Sequence, residues 1–169
     1  VQTVLRPPEF AGDKTKVVDE IERLLLDPQL GIDSSWFMVG LPTAPLRDQE
    51  MVKALLTAWR QDHQPCFSAS TYEFAPQFCF AIDEEGQWVP QFESSPMVTG
   101  QTRSQDIPTL YRPNGAIYLT TKSIFLEKKS FYNKAKPFVT DPNRSIDVDT
   151  KTDFVIAEII AKELEAQSE

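Results

Sequence analysis

Residues 36–70, "WFMVGLPTAPLRDQEMVKALLTAWRQDHQPCFSAS", decide the fold. "WFMVG" (36–40) is a continuous apolar run between polar "DSS" and a Pro-rich turn, the pattern of a strand buried on both faces in a parallel sheet. Asp48 is placed to cap a helix whose Met51, Val52, Leu55, Leu56 and Trp59 fall on one stripe. "PCFSAS" (65–70) is the next strand. Strand, helix, strand predicts a right-handed parallel βαβ unit. His63 falls at the helix end, where a cation complements the dipole, and no nucleophile signature accompanies it.

The flanks extend the same alternation. Before it, "TKVVDEIERLL" repeats Val17, Val18, Ile21, Leu24 and Leu25 at helical spacing, with Thr15 as the expected N-cap. Further upstream, "VQTVL" reads as a short strand, and Pro7-Pro8 forbid a helix. After it, "QFCFAIDEEGQWVPQF" reads as a hairpin turning at Glu85-Gly86, followed by the loop-like "ESSPMVTGQTRSQDIP". A turn at Pro113-Asn114-Gly115 leads into a strand at Ala116–Leu119. A short helix at Lys122–Glu127 and the strand "KPFVT" come next. The last helix, from about Thr152 to Glu165, is expected to bury Phe154, Ala157, Ile160, Ala161 and Leu164. Thr150 and Asp153 have the spacing of a capping box at its start. The expected class is α/β, three layers around a mostly parallel sheet with a hairpin insertion.

Composition narrows the function. The chain has 169 residues, 41% hydrophobic and 25% charged, which suits one globular domain. A net charge of -8 argues against a general nucleic-acid role. No apolar run approaches the roughly 18 residues of a membrane span, and a cytoplasmic setting is expected, with Cys66 and Cys79 as free thiols. One histidine and two separated cysteines make zinc an unsuitable metal. The six glycines are too scattered to form a Gly-rich phosphate loop.

Four stretches carry candidate chemistry. In "SIDVDT" (145–150), Asp147 and Asp149 fall on one side of an extended segment, an arrangement that suits Mg²⁺ when substrate phosphates complete its shell. Spacing alone favours Asp149 as a helix cap and Asp147 as a solvated acid, because Asp is common at caps. "YRPNGAIYL" (111–119) either makes an ordinary turn or brings Asn114 and the bare Gly115 backbone to a ligand at a strand end. In "TRSQD" (102–106), Arg103 suits a ligand carboxylate and Gln105 its hydroxyls, or both belong to a polar surface loop. Phe131-Tyr132 forms an apolar wall or packs internally.

In order along the chain, "LRPPEFAGD", "LPTAPLR", "RSQDIPTLYRPNGAIYL", "SFY" and "RSIDVDTKTDF" resemble the matching segments of the acylneuraminate cytidylyltransferases, with "RPNGAIY" and "SIDVDT" the most specific. The resemblance implies a nucleotidyltransferase-like (Rossmann-like) fold, N-terminally truncated, with residues 1–169 a single partial domain. It implies that residues 71–106 form a hairpin extension that makes a homodimer and reaches over the partner's sugar pocket. It implies attack of the anomeric hydroxyl of a sialic-acid-like sugar on the α-phosphate of CTP, with Mg²⁺ as cofactor and pyrophosphate as leaving group. Asp147 and Asp149 match the metal-binding acids; Asn114, Gly115, Tyr118, Phe131, Tyr132 and Gln105 match sugar-site positions. Three features depart from the family pattern. Leu41 stands where the family usually has Gln. Ser104 replaces the second Arg of an Arg-Arg-Gln-Asp run, which is closer to the pseudaminate branch. The Gly-rich basic loop that cradles CTP is not present. A sugar-binding or assembly module without catalysis is the alternative expectation.

Overall fold

A computed structural model describes residues 3–12, 14–103 and 106–167. Its main sheet has four strands, β1 (Trp36–Val39), β2 (Cys66–Thr71), β5 (Tyr111–Thr121) and β6 (Lys136–Val139), in the order β1-β5-β2-β6. β5 runs antiparallel to both β1 and β2, and β2 runs parallel to β6. The sheet is therefore mixed, which corrects the expectation of a mostly parallel one. β1, β2 and β6 do point the same way, but β1 and β2 do not pair, because β5 lies between them. Residues 114–120 of β5 are all buried, and a strand apolar on both faces belongs at the centre of a sheet.

The three layers are as expected. On one face α2 (Gln49–Asp62) packs Met51, Leu55 and Trp59 against Cys66, Ile117 and Leu119. On the other, α1 (Val17–Leu26) and α4 (Lys122–Lys128) pack Ile21, Leu25 and Phe125 against Phe37, Phe67, Tyr118 and Phe131. Alternation along each strand divides the two clusters: Phe37 faces one and Met38 the other. α2 begins where its sequence predicts, with the Asp48 carboxylate accepting the Met51 N–H at 2.7 Å. It ends at His63, whose left-handed backbone closes the helix while its ring stacks edge-on to Trp59.

Several local expectations change. α1 starts after Lys16 with no side-chain cap, so Thr15 does not serve as one. The expected N-terminal strand includes Val1 and Gln2, outside the described residues, and residues 3–7 are irregular. The hairpin forms as β3 (Phe80–Ile82) and β4 (Trp88–Pro90), and the loop after it contains a short helix, α3 (Pro96–Thr99). The last helix, α5 (Lys151–Ala166), has the full Thr150–Asp153 capping box. It buries Ala157 and partly buries Ile160, Ala161 and Leu164, but Phe154, expected in the core, is 61% exposed.

Candidate functional site

"YRPNGAIYL" is neither a turn before a strand nor an ordinary strand. It lies wholly inside the 11-residue β5. Phe67 pairs with Tyr118 and Ala69 with Pro113, so residues 114–117 bulge opposite Ser68. Gly115 takes φ +72 there, and an added Cβ would lie 3.2 Å from the Leu41 side chain. Pro113 is tolerated in a central strand because it adjoins the bulge.

Asn114, only 2% exposed, is the hub of this bulge. Its Oδ1 accepts from Ser68 Oγ (2.6 Å) and the Ala116 N–H (3.3 Å), and its Nδ2 donates to Thr140 Oγ1 and Ser145 Oγ (both 2.8 Å). An amide side chain has two donors and two acceptor lone pairs, so this one is satisfied within the protein. It ties β5 to the segment after β6, where Asp147 and Asp149 lie. Ser68, Thr140 and Ser145 are its hydrogen-bonding partners, which periodicity does not mark out; small hydroxyl residues gain meaning only once the bulge brings them together.

The carboxyl ends of β1, β2 and β6 lie at one edge of the sheet, where ligands bind in open α/β folds. Two loops meet the β5 bulge there. The loop after β1 is held by Arg47, whose Nη1 donates to the carbonyls of Leu41 (2.7 Å) and Ala44 (3.0 Å). A Cβ on Gly40 would come within 2.9 Å of the Arg47 guanidinium carbon, so that loop needs a glycine. The loop after β6 joins it through the Val148 N–H, donated to Thr43 O at 2.8 Å.

Tyr118 faces this edge from the layer beneath. Its ring stacks on Phe131 at 4.6 Å, and its hydroxyl lies 3.4 Å from that of Tyr132. Burial, then Tyr132 and the Asp147 charge, raise the Tyr118 hydroxyl well above the usual tyrosine range, so it remains a neutral donor. Tyr132 is half exposed, whereas Phe131 is buried among Tyr118, Phe37 and Phe125. Of that aromatic pair, Tyr132 offers the surface and Phe131 supports it. Asp147 and Asp149 are both exposed, and the helix cap is Thr150 rather than Asp149. Among the described residues neither carboxylate is in an ion pair, and no group of three His, Cys, Asp or Glu is placed to hold a metal ion; the nearby Asp153 carboxylate accepts the Asp149 N–H at 3.2 Å. Two hard oxygen donors fit a Mg²⁺ that draws its remaining ligands from water and phosphate. Arg103 stays in its own loop, 3.8 Å from Asp106, and Gln105 lies outside the described residues.

No family model matches the chain. It is 29% identical over 163 residues to an N-acylneuraminate cytidylyltransferase of Streptococcus agalactiae serotype V, covering 92% of this chain and 36% of that protein. It is 27% identical over 159 residues to a CMP-N,N'-diacetyllegionaminic acid synthase of Legionella pneumophila, covering 91% and 66%. It is 30% identical over 122 residues to a pseudaminic acid cytidylyltransferase of Campylobacter jejuni, covering 71% and 51%. All three of these relatives are named as enzymes that make CMP-linked nine-carbon sugar acids or as cytidylyltransferases, and the chain's own fold is α/β with a mixed sheet. Over most of its length the chain is similar to the acylneuraminate cytidylyltransferases. It spans about a third of the streptococcal relative's length.

Proposed function

We propose that these residues form the sugar- and cation-binding part of a CMP-sialate-type cytidylyltransferase. The full reaction transfers CMP from CTP to N-acetylneuraminate or a related nine-carbon acid, with pyrophosphate as leaving group. The observation that supports this reading is that the Asp147 charge acts on Tyr118, whose hydroxyl lies beside that of Tyr132, with Asp149 two residues further along the same exposed segment. Tyr132 offers an aromatic wall and Tyr118 a neutral hydroxyl donor; Gly115 lets the Leu41 side chain pack closely on the bulge. Asp147 and Asp149 would hold Mg²⁺, which neutralises charge on the transferring phosphate when bound. Leu41 packs over Gly115 where the family pattern has Gln, so a polar contact is replaced by an apolar one, and pseudaminate or legionaminate are candidate sugars beside N-acetylneuraminate. The extension supports a homodimer, because Phe74, Phe80, Ile82 and Trp88 all expose apolar surface.

The test is pyrophosphate release from CTP, Mg²⁺ and each of the three sugars. Because no Gly-rich loop is found among these residues, turnover is expected only when a phosphate-cradling segment is supplied. A chimera that places this chain in the Legionella relative, in place of the matched stretch, supplies one. Asp149→Asn should abolish turnover in the chimera. Release by the 169 residues alone, unaffected by Asp149→Asn, overturns the reading. A binding module without catalysis predicts a chimera that binds sugar and never turns over.

A further inference from the structure

We propose that the Asp48–Arg144 ion pair is a positioning element for the Asp147/Asp149 carboxylates, an inference that rests on the cation-site reading above. Arg144 Nη1 lies 3.0 Å from Asp48 Oδ2 and donates to Leu46 O at 3.3 Å. The other oxygen of Asp48 caps α2 through the Met51 N–H at 2.7 Å, so one carboxylate fixes both a helix start and the neighbouring loop. Four residues beyond Arg144, the Val148 N–H reaches Thr43 O at 2.8 Å. The segment after β6 is thus fastened to the loop after β1 at two points, with Asp147 between them and Asp149 one residue past the second.

Two free carboxylates one residue apart repel each other, and a slack segment lets them splay. Fastening at 144 and 148 removes that freedom before a cation arrives, so less ordering is needed on binding. Asp48 has a second effect. It neutralises Arg144, whose charge would otherwise be free to compete with a cation for Asp147. Losing either partner therefore weakens the site, by disorder in one case and by competition in the other. The side chains are 24% and 34% exposed, so the pair is partly screened and its effect moderate.

Two substitutions isolate the pair from the fold. Asp48→Asn keeps an N-cap of equal quality and removes the charge; Arg144→Met keeps an apolar stem and removes the guanidinium. Mn²⁺ affinity of the full chain is read from paramagnetic broadening of the 145–150 amides, with Asp149→Asn as the control for a lost site. Each variant should bind Mn²⁺ about fivefold more weakly, and the double variant no worse than the weaker single one, as for partners in one interaction. Hydrogen exchange at the Val148 amide supplies an independent reading. It should be protected in the parent chain and exchange about tenfold faster in Arg144→Met, with β5 amides unchanged. Unaltered Mn²⁺ affinity in both variants overturns the proposal. If the parent binds Mn²⁺ no better than Asp149→Asn, the cation reading fails by itself. The fastening then stands on Val148 exchange, and unchanged exchange overturns it.

Discussion

Asn114 shows how far a residue type reveals its role. Its sequence context, Pro-Asn-Gly before an apolar run, suggests a ligand contact or a turn. In the fold it is a saturated buried hub, and its contribution to the site is to hold the carboxylate segment against β5. No propensity encodes that, because its partners Ser68, Thr140 and Ser145 are distant in sequence and meet only through sheet order. Asn114→Ala leaves several buried groups without partners and should destabilise the chain by roughly 2–3 kcal/mol. Urea unfolding measures this; a cost under about 0.5 kcal/mol, within the usual range for surface changes, would mean the hub is not structural. Asp147 and Asp149 are both exposed, and their spacing alone did not separate a metal pair from a solvated acid beside a helix start.

Elements were legible where periodicity and capping agreed. α2 has both, and its apolar stripe lies in the core as read. The β3–β4 hairpin follows from its turn residues. β5 was read too short because a Pro-Asn-Gly sequence signals a turn, and only pairing with β2 shows that the chain bulges and continues. α5 has the cap but not the burial. Its start rests on Thr150 Oγ1, which accepts the Asp153 N–H, while the Asp153 carboxylate accepts from Thr150 in return. Thr150→Ala should cost about 1 kcal/mol. The bonds from Thr150 hold the Asp153 carboxyl below its usual value of 3.8. A depressed carboxylate stabilises the fold above its unfolded pKa, and that contribution is lost as pH falls through the lower folded value. The difference between Thr150→Ala and parent, followed by thermal melts, should therefore shrink below about pH 4. A constant difference across that range would separate the cap from the Asp153 charge.

For the whole molecule, sequence order gave the class of fold but not the order of strands. Parallel pairing of β1 and β2 was the natural expectation for strand-helix-strand, and β5, the longest and most buried strand, lies between them instead. The extension bears on assembly. An isolated two-stranded hairpin is marginal in water, and this one leaves Ile82 70% exposed. Ile82→Asp with Trp88→Asp should convert a dimer to a monomer in sedimentation equilibrium while leaving the main-sheet amide spectrum intact; a parent chain already monomeric at high concentration would rule out the extension as a dimer surface.

The central claim, that the carboxyl edge of the sheet is a pocket for a nine-carbon sugar acid, is tested most directly by titrating the chain with N-acetylneuraminate, pseudaminate and legionaminate while following its amide spectrum. The account predicts saturable shifts confined to residues 114–118, 131–132 and 147–149 with at least one of the three sugars. Shifts absent with all three, or spread over surfaces away from that edge, would contradict it.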